Sequence, residues 1–445
     1  MRYRARFVLP IASPVRRDGC VDVVDGRITG VGGVGQVDDQ PEHDLGSVAL
    51  MPGLVNAHTH LELSYLRGAV PAAGEFVSWI RGVMGARRQR ADPQSAEILD
   101  GLDAGITEAI AAGTAVVGDI SNTLVPLHRL AGHPLAGIVF YELLRFNAPD
   151  ASAVVADALK AIRAVASPAN VRASLAAHAP YSVAPGVFRA MRAAMDADDS
   201  LAPCSIHLAE SRAETEFIAT GGGPWRTLLE DVGSWDPAWT APRTSPVQYV
   251  EHHGLLDARM LVVHGVQMTA ADLVRVQASG ATLVTCPRSN AHTGAGVPPI
   301  EGFYASGVRV AVGTDSLAST EDLNVFAELA AMRRLAPTVP ASLLLESATR
   351  IGAEALGLAG ELRGKGIAVN ALWPRVTIAT AAIKNLLGGE RVMRMSRTPE
   401  IMADAAYAIF LKPAKSFTGH FLIDDTFLAG EGVTDFEKYR AAPGE

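Results

Sequence analysis

Pro52-Gly-Leu-Val-Asn-Ala-His-Thr-His60 sets a short apolar run directly against two histidines. Leu54 to Ala57 reads as a buried strand, and His58 and His60, at i and i+2, project from one face of its end. Such a pair alone is a weak signal, served equally well by structural histidines. Its weight comes from the pattern that continues down the chain. Further apolar runs follow at Ala115–Asp119, Gly137–Tyr141, Val171–Leu175, Pro203–Ile206, Met260–Val263, Ala281–Thr285 and Val308–Val312, separated by Ala-rich helical stretches. Eight strands alternating with helices over roughly 300 residues predict the α/β class and a closed (β/α)8 TIM-like barrel. An open doubly wound sheet is the alternative, but no Gly-x-Gly-x-x-Gly turn follows the first strand.

Nearly every one of these strands runs into a polar or ionisable residue: His58 and His60, Asp119, Glu142, His178, His207, His264, the Pro287-Arg-Ser-Asn290 stretch, and Asp315. Active sites of such barrels lie at the carboxyl ends of the strands, where side chains from different strands converge. One or two satisfied core histidines would be ordinary; the whole series points to a site. Before the barrel, residues 1 to about 50 read as short strands, with Asp25-Gly26 as a hairpin turn between Cys20–Val24 and Arg27–Val31.

Composition narrows the function. The 445 residues are 49% apolar and 19% charged, enough for a large core, and the net charge of −8 lacks the basic face that nucleic acid requires. No apolar run reaches the roughly 18 residues of a membrane span, and the run behind the basic N-terminus is interrupted by Pro10. A small-molecule substrate, no nucleic acid, no membrane and a cytoplasmic location are expected. Cys20, Cys204 and Cys286 are too few and scattered for a disulfide framework and read as reduced thiols.

His58, His60, His207 and Asp315 bring nitrogen and carboxylate donors from three strand ends, a set suited to one divalent ion, zinc or iron(II), rather than magnesium or calcium. Such an ion lowers the pKa of water towards neutrality. Glu210, three residues after His207, is placed one helical turn away, in reach of that water without ligating the ion; in an acidic stretch with Glu214 and Glu216 it would otherwise pass for a solvated helix residue. His264 is placed to orient the water or polarise the attacked atom. His178 is read as a substrate contact. No lysine sits at its strand end to bridge two ions, so the site is expected to hold one.

Pro52–His60, His207-Leu-Ala-Glu210, Val263-His264 and Gly313-Thr-Asp315 resemble the motifs of the amidohydrolase superfamily, in the branch that holds chlorohydrolases, guanine deaminases and adenosine-type deaminases. The resemblance spans about residues 1–360. It implies a metal held by His58, His60, His207 and Asp315, catalysis by Glu210, His264 and Asp315, and hydrolysis at an amidine-like carbon with loss of ammonia. His58–Ser64 and Cys286–Asn290 with the following loop resemble aminodeoxyfutalosine deaminases of menaquinone synthesis. That implies substrate contacts at Glu62, Trp79, His178, Arg288 and Ser289. A chlorohydrolase or deaminase of another N-heterocycle, such as an s-triazine, stays open.

After Leu356 the pattern changes. Gly366–Pro374 reads as a strand, Arg397–Phe410 as a helix capped at Thr398, and Thr418–Asp424 as a final strand. Residues 361–440 resemble the last part of a short-chain dehydrogenase, a Rossmann-derived α/β fragment without the glycine-rich turn or the Tyr-x-x-x-Lys pair that hydride transfer needs. Three domains are expected: a partial sandwich over 1–50, the hydrolase barrel over 51–360, and a dehydrogenase-like fragment over 361–445. A fusion of this kind leaves two readings open, an active hydrolase or an impaired one. Exposed strand edges would favour a homo-oligomer.

Overall fold

The computed structural model describes residues 1–24, 26–32, 41–165, 170–201, 203–357, 371–373, 378–379, 389–410, 412 and 421–442. The chain divides into two compact units, Met1–Leu356 and Gly357–Glu445. In the first unit, strands β1 (Arg2–Val8), β2 (Arg16–Val24), β3 (Arg27–Gly32), β4 (Glu42–Asp44) and β5 (Ala49–Leu50) form one five-stranded sheet. The pairing of β2 with β3 is antiparallel, as a hairpin requires; Asp25 of the expected turn lies outside the described residues.

The barrel strands are β6 (Leu54–Thr59), β7 (Thr114–Ser121), β8 (Ala136–Leu143), β9 (Val171–Ala177), β10 (Cys204–Leu208), β11 (Met260–His264), β12 (Thr282–Thr285) and β13 (Arg309–Val312). They pair in sequence order, every pair parallel. All of β6, β10, β11 and β12 is buried, because helices cover the outer face and side chains fill the inner one. Leu175, Ile206 and Val262 are packed in one cluster with Phe188, Met191 and Val250 of the surrounding helices. Each such buried side chain contributes about 1.5–3 kcal/mol.

Closure of the ring is local to the chemistry. Thr59 and Asp315 form a parallel bridge beyond the end of β13, and the Asp315 amide donates to His58 O at 3.0 Å. Asn56 locks the seam from within: its Nδ2 donates to Thr314 Oγ1 at 2.7 Å, and Thr314 N donates to its Oδ1 at 3.0 Å. Gly313 permits the approach, since a Cβ there would stand 2.6 Å from His58 O.

In the second unit, Ala371–Trp373 and Phe421–Ile423 pair in parallel, and helix Glu400–Phe410 follows Pro399. Ile401, Ala405, Leu428 and Tyr439 form its small core. The rest of the expected strands, 366–370, 374 and 418–420, lies outside the described residues.

Candidate active site

Five strand ends build the polar floor of the site. His58, His60 and His207 each present one ring nitrogen within 4.8 Å of the others. Asp315 Oδ1 lies 3.4 Å from His60 Nε2 and 3.9 Å from His58 Nε2. Both ring nitrogens of His58 are buried without a hydrogen-bond partner, an arrangement that costs free energy unless a cation takes the lone pair. Burial first, then the neighbouring imidazoles, hold His58 well below its ordinary value, and His60 is lowered to about 3. His207 is lowered to about 4. Neutral imidazoles beside a carboxylate fit a divalent ion. His207 Nδ1 donates to His178 O at 2.8 Å, which fixes its ring and leaves Nε2 as the ligand atom.

Asp315 is oriented by the Ser289 hydroxyl, which donates to Oδ2 at 2.5 Å, and by Ser316 N, which donates to Oδ1 at 2.8 Å. Glu210 Oε1 stands 3.5 Å from His264 Nε2. Burial, reinforced by the Asp315 and Glu214 charges, raises Glu210 well above the ordinary carboxyl range, while burial holds His264 neutral. Glu214 holds the Glu210 backbone in place by accepting from Ala209 N and Glu210 N, both at 2.8 Å. Asn290 Nδ2 pairs with His264 Nδ1 at 3.0 Å.

The backbone is bent to aim these groups. Ala209, His264 and Asp315 have φ of 51°, 76° and 62°, left-handed values that cost a non-glycine residue about 1–3 kcal/mol each. They stand at the ends of β10, β11 and β13, where the surrounding pairs over-determine them. Glu210 is therefore not on a helix, as its spacing from His207 suggested. It lies in the turn between β10 and helix Arg212–Thr220, because Ala209 breaks the chain direction.

Above the floor opens a cavity of about 530 Å³, within the roughly 300–1,000 Å³ of small-ligand sites. Helix Phe76–Arg88 buries Phe76, Trp79 and Val83, spaced as one helical face, and all three line the cavity. Trp225 stacks on Tyr181 with ring centroids 3.6 Å apart on the same wall.

The expected site residues divide accordingly. The cavity brings together His60, His178, His207, Glu210, His264, Asp315 and Trp79, with His58 buried directly behind. Glu62, Arg288 and Ser289, also expected as substrate contacts, are not among the residues that line it. Glu62 accepts from Ser121 Oγ at 2.7 Å, Asn122 N at 3.0 Å and Thr123 Oγ1 at 2.8 Å. The Arg288 guanidinium turns to Asp322 at 2.7 Å and Glu328 at 3.5 Å. The Ser289 hydroxyl is spent on Asp315 Oδ2. Arg87, Asn122, Glu142 and Tyr181 are among the cavity residues given no role from sequence; of these four only Glu142 carries a signal, as a strand-end carboxylate.

Fold and site together have the build of a metal-dependent barrel hydrolase. Residues 49–389 match the amidohydrolase family, and the chain belongs to that family. It is 35% identical to an aminodeoxyfutalosine deaminase of Deinococcus radiodurans over 325 residues, 69% of this chain and 73% of the relative. A crystal structure of Helicobacter pylori aminofutalosine deaminase in complex with methylthio-coformycin superposes with a TM-score of 0.69 at 24% identity, covering 80% of this chain and 88% of that one. The dehydrogenase resemblance has its own match. A hydroxysteroid dehydrogenase-like protein 2 of Xenopus tropicalis is 54% identical over 90 residues, 20% of this chain and 21% of that one.

Proposed function

We propose that this chain deaminates an aminopurine nucleoside of the aminodeoxyfutalosine type, replacing the exocyclic amine by oxygen and releasing ammonia. The observation that carries the reading is the convergence of His58, His60, His207 and Asp315 beside the Glu210–His264 pair, on the floor of an aromatic cavity. The relatives' names support the substrate class.

His58, His60, His207 and Asp315 would hold one zinc or iron(II) ion, which supplies the Lewis acidity that makes water nucleophilic at neutral pH. The remaining chemistry belongs to the side chains. Glu210, whose affinity for a proton is raised by burial and by the neighbouring Asp315 and Glu214 charges, takes a proton from water and delivers it to the ring nitrogen beside the attacked carbon. Asp315 accepts the second water proton and passes it to the departing amine. The C–N bond then breaks and ammonia leaves. His264, neutral and 3.5 Å from Glu210, orients the water and stabilises charge developing on its oxygen. The aromatic wall covers the base and excludes bulk water. A cytoplasmic location fits this metabolic role; among the described residues no helix is long and apolar enough to cross a membrane.

Ammonia release from metal-replete protein, across a panel of aminopurine nucleosides and aminated or chlorinated s-triazines, tests the reading. Turnover of a nucleoside is expected. Turnover confined to triazines, or to no compound, overturns it.

A further inference from the structure

His264 ends β11 at a φ of 76°, and its two ring nitrogens meet different groups. Nε2 stands 3.5 Å from Glu210 Oε1, and the residue lines the cavity. Nδ1 meets the side-chain amide of Asn290, with Nδ2 at 3.0 Å. Both residues are fully packed, His264 at 1% exposure and Asn290 at 0%. Burial keeps the imidazole neutral, so it carries one hydrogen, on one nitrogen only. To stabilise negative charge growing on the water oxygen, that hydrogen must be on Nε2. On Nδ1 it would leave a lone pair turned towards the oxygen.

Asn290 decides between the two forms. An amide Nδ2 only donates, so the nitrogen it meets must accept, and the hydrogen stays on Nε2. The group at the other end agrees. Ionised Glu210 only accepts, and a lone pair on Nε2 would set two acceptors 3.5 Å apart. Asn290 Oδ1 is buried with no hydrogen-bond partner, so the amide bears that cost while its nitrogen serves the ring. The backbone holds Asn290 in place: its N donates to Cys286 O at 3.0 Å, and Ala295 N donates to its O at 3.1 Å. Helix Pro287–Thr293, which carries it, ends at Gly294 with a φ of 76°, where a Cβ would stand 2.6 Å from Ala73 O. The residue before it, Ser289, holds Asp315 Oδ2. One short helix therefore sets an acceptor, Asp315, and a donor, His264, through two consecutive side chains.

We propose that Asn290 is a positioning residue for the deamination: its amide donates to His264 Nδ1 and so keeps the ring hydrogen on Nε2, facing the reacting oxygen. This inference rests on the deaminase reading above. Ring-nitrogen NMR of zinc-replete protein with isotope-labelled histidines tests it, the His264 signals being those lost in His264→Gln. The hydrogen is expected on Nε2 in wild type and on Nδ1 in Asn290→Asp, whose carboxylate only accepts. With 5′-methylthioadenosine, Asn290→Asp is expected to lower kcat for ammonia release by about 10²-fold or more, the loss that follows removal of one donor to developing charge. KM and zinc content are expected to stay near wild type. Asn290→Ala, which removes the donor without adding an acceptor, is expected to lose less. A hydrogen on Nδ1 in wild type overturns the proposal, and so does wild-type kcat in Asn290→Asp. Greater damage in Asn290→Ala than in the isosteric Asn290→Asp is the order that packing alone would give, and it also overturns the proposal. A wild type that releases no ammonia overturns the deaminase reading, and the tautomer measured in the same protein still decides for or against Asn290.

Discussion

The barrel and the Gly357–Glu445 unit handle backbone pairing in opposite ways. In the barrel the strands from β7 to β12 have hydrogen-bonded neighbours on both sides, and the Thr59–Asp315 bridge joins the two ends of the series. The second unit, among its described residues, has a single pair of three-residue strands over a four-residue buried core. Closure is what lets the barrel hold Ala209, His264 and Asp315 at positive φ and bury histidines and carboxylates side by side. Chemistry lives where structure is over-determined. Every proposed ligand and proton carrier precedes residue 316, inside the unit that can bear the strain.

The largest effect that would sharpen this contrast is at Glu210. Glu210→Gln is expected to lower kcat by about 10²–10⁴ while metal content and unfolding temperature stay at wild-type values. A parallel loss of metal would make Glu210 a ligand and break the assignment. Next comes the seam of the barrel. Gly313→Ala drives a Cβ against the His58 carbonyl and is expected to cost about 1–3 kcal/mol, read by denaturant unfolding, with loss of metal affinity. A neutral result would mean that closure at Asp315 is loose.

Much of the barrel is legible in the sequence, because a parallel strand covered on both faces must be a short apolar run, and a barrel must place its polar groups where those runs end. The run from Leu54 into His58 and His60 shows both rules at once. The partners of Glu62 and Arg288 are not legible in that way, because what they bond to is set by tertiary structure. Glu62 meets Ser121, Asn122 and Thr123, 59–61 positions away, and Arg288 meets Asp322 and Glu328. Arg87 and Asn122 gave no signal, since the angle at which helix Phe76–Arg88 crosses the strand ends is not written in its periodicity. Glu210 was assigned its role through a helix that is in fact a turn.

A smaller effect follows from acid. In the metal-free chain His60 is lowered to about 3 and His207 to about 4, both by burial first. Folded values below the ordinary 6.5 mean that the unfolded chain takes up protons first. The stabilisation from these imidazoles is therefore complete above about pH 6.5 and is lost as pH falls towards 4. Bound metal is expected to persist to about pH 5 and to leave near pH 4, followed by metal analysis after dialysis. Release centred on 6.5 would mean solvated imidazoles. The smallest effect is expected in the second unit. Tyr439→Phe deletes the bond to Asp404 Oδ2 at 2.6 Å and should destabilise helix Glu400–Phe410 by about 1 kcal/mol, seen as faster amide exchange there. Ammonia release should not change; if it falls, the two units are not independent in function.

The most direct test of the central claim is metal analysis of purified chain beside a His58→Ala variant. One zinc or iron ion per wild-type chain, with occupancy in the variant reduced to about a tenth or less, is the predicted result. Equal metal in both proteins, or two ions per wild-type chain, would contradict a single centre built on His58, His60, His207 and Asp315.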